Sequence, residues 1–366
     1  MLTKFAVTNY RGFRGRVELD LSRPANYNFS TFAVKDGVVK DGIIYGHNGS
    51  GKSNLSLAVF DIANHLSHKW KKRDYYVNFA NIAAPDEPVR FEYSFRLGGR
   101  DVSYSYAKGR RGELVSERME VDGSPMFERA DGRLSLDGAQ FPMLPAMEEK
   151  LGSNANSVSV VNFLLSSYPL PEGHPLLALS DFVDSMLWFR CLDEREFIGL
   201  EPVPTMIEDF IVGTGLLDDF RQFLEEVGGQ RFELTTPSGD SNVIYCRMGD
   251  GMVPFIEVAS TGTKSLELLY FWIKHLDGTS LLFIDEFDAF YHFELSREVC
   301  RRLFALDCQV FLTSHNTFLM TNDLLRPDCY FVLSDGCVRP VCDLTDKELR
   351  LGHNLEKLYR GGAFGR

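Results

Sequence analysis

At 366 residues the chain is too long for one small domain and short for several, so one composite domain with an insertion is expected. Its composition, 44% hydrophobic and 25% charged, excludes disordered and fibrous classes, and the net charge of −12 weighs against a protein that coats DNA. No apolar run reaches the roughly 18 residues of a membrane span and no signal-peptide core opens the chain, so a cytoplasmic protein without membrane contact is expected.

Lys4–Thr8 and Arg16–Leu21 alternate apolar and polar residues as strands do, and Gly42–Tyr45 is a short apolar run ending at a glycine. From Gly51 to about His68 the residues Leu55, Ala58, Val59, Ile62 and Leu66 recur at helical spacing. Between strand and helix stand Gly46, His47, Asn48, Gly49, Ser50, Gly51, Lys52 and Ser53, which fit the phosphate-loop pattern G-x-x-x-x-G-K-[ST] in full. The glycines let the backbone wrap with its N–H groups toward phosphate oxygens, and the helix start adds its dipole and unpaired amides. In such a loop Lys52 reaches the β- and γ-phosphates of ATP and the Ser53 hydroxyl ligates Mg2+. A glycine turn with an incidental lysine is the plainer alternative, and the flanking strand and helix argue against it. Two basic clusters, Lys69–Trp70–Lys71–Lys72–Arg73 and Arg110–Arg111, read as a solvated helix end and a turn, with nucleic-acid contact as the less economical alternative.

From Glu87 to Phe127, alternating runs separated by glycine turns suggest an antiparallel meander. From Met143 to Val227 the pattern turns helical, in HPLLALSDFVDSMLWF and TMIEDFIVGTGLLDDFRQFLEEV, interrupted by the Pro-rich Tyr168–Pro175. Strands resume after Gly228. A helix follows over about Thr263–Leu276, then an apolar strand over Ser280–Ile284, another helix and a strand over Gln309–Thr313. The division expected is a lobe over 1–142, a helical insertion over 143–227 and a second lobe over 228–366. No heptads and no internal repeat occur. The 29 phenylalanines forecast an aromatic-rich core. Seven cysteines without a CxxC pair read as reduced thiols. The tail NLEKLYRGGAFGR (354–366) reads as a frayed terminus, with a plug for a partner as the alternative.

Three further segments carry chemistry. In LLFIDEFDAF (281–290), Asp285 ends a buried strand, where a carboxylate can hold Mg2+, and Glu286 follows as a general base for the attacking water. In LTSHN (312–316), Ser314 and His315 follow an apolar strand, and His315 there can hydrogen-bond a γ-phosphate. In ASTGTKSL (259–266), Ser260, Thr261, Gly262 and Thr263 open a helix. Such residues make either a cap or an anion site, and the residues alone leave both open.

Taken in order, these motifs resemble ABC-type ATPase heads of the RecF/SMC-like branch, and within it the small bacterial AAA-like ATPases related to the overcoming-lysogenization-defect nucleases. Thr8–Gly15 looks like that branch's N-F-R-x-F opening, ASTGTKSL like its degenerate signature, Asp285–His292 like its Walker B and D-loop, and Ser314–Thr317 like its H-loop. The signature departs from LSGGQ at Gly262–Thr263–Lys264. No glutamine loop is placed, since Asn78 and Asn81 are insecure substitutes. The resemblance implies an α/β fold, a two-lobed head with an antiparallel β-subdomain and a helical insertion. It also implies ATP and Mg2+, and a head-to-tail homodimer or higher oligomer in which Ser260, Gly262 and Thr263 of one chain close on ATP held at Lys52 of the other. The chain has neither the coiled coils of SMC proteins nor, in 316–366, room for the nuclease domain of the related family. A separately encoded effector in anti-phage defence is therefore the favoured role. A RecF-like repair ATPase on DNA and a non-hydrolysing ATP-bound scaffold are the alternatives.

Overall fold

The computed structural model describes residues 1–67, 79–138, 141, 158–190, 197–199, 206–237 and 243–364. In chain order its first strands are β1 (Leu2–Thr8), β2 (Val17–Asp20), β3 (Val34–Lys35), β4 (Val38–Val39) and β5 (Asp41–Tyr45). A meander follows: β6 (Val89–Leu97), β7 (Arg100–Lys108), β8 (Leu114–Val121), β9 (Ser124–Ala130) and β10 (Arg133–Leu136). Next come β11 (Met186–Arg190), β12 (Phe197–Gly199), β13 (Leu234–Thr235), β14 (Tyr245–Met248) and β15 (Gly251–Pro254). The last four are β16 (Leu281–Asp285), β17 (Gln309–Thr313), β18 (Tyr330–Ser334) and β19 (Cys337–Pro340).

Two seven-stranded sheets result. One runs β10-β9-β8-β7-β6-β1-β2 and is antiparallel throughout. The other runs β12-β11-β16-β17-β5-β18-β19, with parallel strands between antiparallel edges. The α/β class and the antiparallel β-subdomain expected from the sequence are both present. In β6, Val89, Phe91, Tyr93, Phe95 and Leu97 are buried while Arg90 and Arg96 face solvent, the alternation of a half-covered sheet. In β5, β16 and β17 every residue is buried, the pattern of a parallel sheet covered on both faces. Buried Gln309 fastens the sheets together: its amide donates to Leu2 O and Val39 O at 2.9 and 3.1 Å, and its carbonyl accepts from Leu2 N at 2.6 Å.

Three expectations are corrected. The helix from Gly51 to His68 is two helices, Lys52–Val59 and Asp61–Leu66, broken at Phe60. Asp61 turns inward there to meet Lys108 at 2.6 Å. The helical reading of 143–227 fails at Met186–Arg190. Helix Pro175–Asp184 ends at Ser185 and the chain enters β11, in parallel register with β16. Leu176, Leu179, Phe182, Val183 and Met186 keep helical spacing across this boundary, so periodicity cannot separate the helix from a strand buried on both faces. The tail is packed rather than frayed over its described residues, 354–364. Leu355 and Phe364 are buried, and the Tyr359 ring lies 6.3 Å from that of Tyr45. The six described cysteines are free thiols. No helix among the described residues is long and apolar enough to cross a membrane.

Candidate functional site

Four parallel strands end in one row. Arg190 pairs with Asp285, Ile284 with Leu312, and Thr313 with Ile44, which places the phosphate loop just beyond β5 at the carboxyl edge of the sheet. The loop needs its glycines. Gly51 has φ +105, and a Cβ there would come within 2.6 Å of the Phe13 ring. Phe13 thus wedges the N-terminal turn against the loop, which gives the N-F-R-x-F-like opening a packing role. A Cβ on Gly46 would meet Ser50 Oγ at 2.5 Å and Leu333 O at 2.7 Å.

Helix Lys52–Val59 starts directly from this turn. Lys52 is buried and donates to Gly46 O at 2.9 Å and His47 O at 3.3 Å. Burial lowers its pKa, and the Asp285 and Glu286 carboxylates oppose that shift. The Ser50 hydroxyl is buried with no partner among the described residues, an acceptor-seeking group inside the loop. His47, Asn48 and Gly49 face solvent at the loop tip, while Ser53 is half-buried.

Asp285 is fully buried. Its Oδ2 accepts from Arg190 Nε at 3.0 Å and Nη2 at 2.8 Å, and its Oδ1 accepts from the Thr313 hydroxyl at 2.7 Å. That hydroxyl oxygen in turn accepts from Glu286 N at 2.7 Å. Glu286 has φ +52, a left-handed conformation rare for a side-chain-bearing residue. The turn throws its half-buried carboxylate off the line of the strand, on the side of Lys52 and His315. His315 is exposed. Desolvation lowers its pKa, Lys52 and His47 lower it further, and Glu286 and Asp285 pull the other way. Ser314 is spent on Asp288, whose carboxyl accepts its hydroxyl at 2.6 Å and is pushed up to about 6 by burial.

A second cluster sits at the start of helix Thr261–Ile273. The Ser260 hydroxyl accepts from Thr263 N at 3.2 Å and lies 2.8 Å from the Thr263 hydroxyl, which donates to Gln230 Oε1 at 2.9 Å. The cap takes up buried Thr263, whereas Ser260 and Thr261 are exposed and Gly262 is half-buried against Phe290 O. His292 caps helix Phe293–Phe304 by accepting from Leu295 N at 3.3 Å. Lys52, Asp285, Glu286, His315 and His47 are therefore gathered at one edge, and Ser260, Gly262 and Thr263 form a separate group.

Sequence reasoning missed β11 and what it holds. Trp188 Nε1 donates to Ser56 Oγ at 3.0 Å, tying the strand to the phosphate-loop helix, and Phe189 stacks 5.5 Å from Trp272 on helix Thr261–Ile273. Thr313 and Gln230 were also missed. Thr313 lies inside LTSHN and could have been weighed as a strand-end hydroxyl. Asn81 is engaged in the turn beside Arg11, to whose carbonyl it donates at 2.6 Å. Asn78 and the basic run Lys69–Arg73 lie outside the described residues. Arg110 pairs loosely with Asp86 at 3.5 Å on the surface.

Oxygen donors from Ser53 and Asp285 suit a hard ion such as Mg2+. Among the described residues no group of three or more His, Cys, Asp or Glu is placed to hold a metal alone. The donor set therefore fits an ion that arrives with phosphate oxygens of its own.

A family profile described as "AAA domain, putative AbiEii toxin, Type IV TA system" matches residues 43–321. No curated protein matches the chain. Among solved structures the chain is similar to the SMC head domain from Thermotoga maritima, at 16% identity and a TM-score of 0.44, covering 93% of this chain and 98% of that one. An SMC head bound to the C-terminal winged-helix domain of ScpA shows 13% identity, a TM-score of 0.47 and coverage of 93% and 97%. The recombination mediator RecF with ATP shows 14% identity, a TM-score of 0.41 and coverage of 93% and 99%.

Proposed function

We propose, from the premise that this chain belongs to the AAA-domain family whose profile spans residues 43–321, that it binds and hydrolyses ATP at Gly46–Ser53. The observation that carries the reading is the carboxyl edge of the parallel sheet, where Lys52 faces the Asp285–Glu286 pair. Backbone N–H groups of the loop and the Lys52 ammonium receive the β- and γ-phosphates. Glu286 accepts a proton from the attacking water, whose oxygen bonds to the γ-phosphorus as the bond to the ADP oxygen breaks. His315 donates a hydrogen bond to the γ-phosphate. Bound Mg2+, held by Ser53 and Asp285, supplies charge neutralisation for the phosphates.

Ser260 stands exposed, with Gly262 half-buried beside it, on the start of a helix that is grouped separately from Lys52. This supports a head-to-tail dimer in which they complete the site of a second copy, with Thr263 setting their cap. The family description names a toxin of a toxin–antitoxin system, which suits an ATP-gated dimer controlling a separately encoded effector in anti-phage defence.

The test is ATP turnover of the protein beside Glu286→Gln, with oligomer mass recorded with and without ATP. Turnover falling at least about 100-fold in the variant, with ATP still bound and a dimer stabilised, is the expected result. Equal turnover in both forms overturns Glu286 as base. ATP retained without turnover in either form supports the scaffold alternative.

A further inference from the structure

Glu286 leaves β16 in a left-handed turn, φ +52, which a residue with a side chain keeps only where its neighbours hold it. Thr313 holds it twice. Glu286 N donates to the Thr313 hydroxyl at 2.7 Å, and Phe287 N donates to the Thr313 carbonyl at 3.3 Å. Only the first of these depends on the side chain. The hydroxyl passes its own proton to Asp285 Oδ1 at 2.7 Å. An amide only donates and a carboxylate only accepts, so the two bonds fix which way the hydroxyl points. Thr313 is fully buried, which keeps water from competing for either bond, and its β-branched side chain has few rotamers to choose from.

The backbone of Thr313 is equally fixed. It pairs with Ile44 in parallel register, and Ser314 N donates to Ile44 O at 3.2 Å. Ile44 stands two residues before Gly46. The residue that holds the Glu286 turn is thus seated on the strand that leads into the phosphate loop.

We propose that Thr313 is a positioning residue for Glu286: its hydroxyl locks the left-handed turn and so aims the carboxylate at the water beside the γ-phosphate. The proposal rests on the ATP-hydrolysis reading above and deepens it. Without the hydroxyl, the Glu286 amide loses its buried acceptor and the turn relaxes toward the negative φ that side-chain-bearing residues prefer. The carboxylate then swings, while Lys52 and its loop keep their places. Turnover and nucleotide affinity should therefore part company.

The experiment measures single-turnover ATP hydrolysis with Mg2+, and affinity for fluorescent N-methylanthraniloyl-ATP, in wild type, Thr313→Ser, Thr313→Val, Glu286→Gln and Glu286→Gln/Thr313→Val. Thr313→Val is expected to hydrolyse about 30-fold more slowly with affinity within about twofold of wild type. Thr313→Ser, which restores both hydrogen bonds, is expected to stay within about threefold of wild-type turnover. In the Glu286→Gln background the change to valine should slow turnover by less than about threefold, because nothing is left to position. Equal turnover in wild type and Thr313→Val overturns the proposal. So does a full loss repeated in the Glu286→Gln background, which assigns the effect to Asp285. Should Thr313→Val not fold, Thr313→Cys replaces it, a thiol being a weak donor and acceptor, with a loss of about tenfold expected and the same outcomes overturning the proposal. Amide hydrogen exchange at Glu286 needs no nucleotide, and it is expected to be about tenfold faster in Thr313→Val and unchanged in Thr313→Ser. Equal exchange in wild type and Thr313→Val overturns the lock itself. A wild type that binds ATP without hydrolysing it instead sinks the hydrolytic reading, a result distinct from every failure of Thr313→Val to differ from wild type.

Discussion

The two sheets treat buried charge in opposite ways. In the antiparallel sheet, Lys108 meets Asp61 at 2.6 Å with side chains 3% and 0% exposed, and Tyr106 donates a second hydrogen bond to the same carboxylate oxygen. Glu117 is enclosed by Arg129, Tyr104, Ser159 and the amides at the start of helix Val160–Ser167. These charges find partners inside the chain and hold helices onto the sheet. At the carboxyl edge of the parallel sheet, away from the buried Lys40–Asp41 pair at its other end, the charges have partners in the loop or at the surface. Lys52 rests on loop carbonyls, Asp285 on a part-exposed arginine, and the Ser50 hydroxyl on nothing described. The same kind of ion pair is sealed at Lys108–Asp61 and part-exposed at Arg190–Asp285. Accessibility, more than distance, separates a structural pair from a working one.

That contrast can be broken by experiment. The largest effect on stability is expected at the closed pair. Lys108→Met leaves Asp61 buried without its cation and should lower unfolding free energy in urea by about 3–5 kcal/mol. The double variant Lys108→Met/Asp61→Leu should recover a good part of that. Arg190→Gln should cost less, about 1–2 kcal/mol, since water can reach that end of the pair. Equal losses at both would erase the distinction between the sheets.

An effect set by pH should appear at the opposite end of β5. Burial pushes the Asp41 carboxyl up to about 7, against the pull of Lys40. Its folded pKa stands above the unfolded value near 3.9, so the stability it brings is present below about pH 4 and is lost as pH rises through about 7. Across that window wild type should lose roughly 2–4 kcal/mol relative to Asp41→Asn. Parallel pH–stability curves for the two proteins would contradict this. The smallest effect is expected at helix Thr261–Ile273. Ser260→Ala removes a cap and should cost about 1 kcal/mol in thermal unfolding while leaving ATP affinity of the isolated chain unchanged. A loss of affinity there would place Ser260 in the nucleotide site of its own chain.

The antiparallel sheet was legible because period-two alternation marks strands with one wet face; β6 follows it residue by residue, and β7, β8 and β9 follow it except near two register shifts. The phosphate loop, Asp285, Glu286 and His315 were legible because each stands where a short apolar strand stops at small or charged residues. Strand β11 carries neither signal. Met186, Leu187, Trp188 and Phe189 are all buried, and the preceding helix ends only one residue earlier, so the apolar pattern runs on without a break. Arg190 was lost with it, because a lone arginine after an apolar run gains meaning only when the strand beside it is known. Thr313 was in view and passed over, since its neighbours Ser314 and His315 offered more familiar chemistry.

Gln309 gives β17 a mechanical role. Its three hydrogen bonds pin the amino end of that strand to β1 and to Val39, while Thr313 at the far end holds Asp285 and Glu286. The pin and the chemistry are four residues apart, roughly 13 Å along an extended strand. A rotation of about 10° of one sheet against the other, pivoting at the pin, would displace the carboxyl edge by about 2 Å over that arm. In such a rotation the strand would serve as a lever with its fulcrum at Gln309. A partner gripping the antiparallel sheet would move the Asp285 and Glu286 carboxylates most and the pin least.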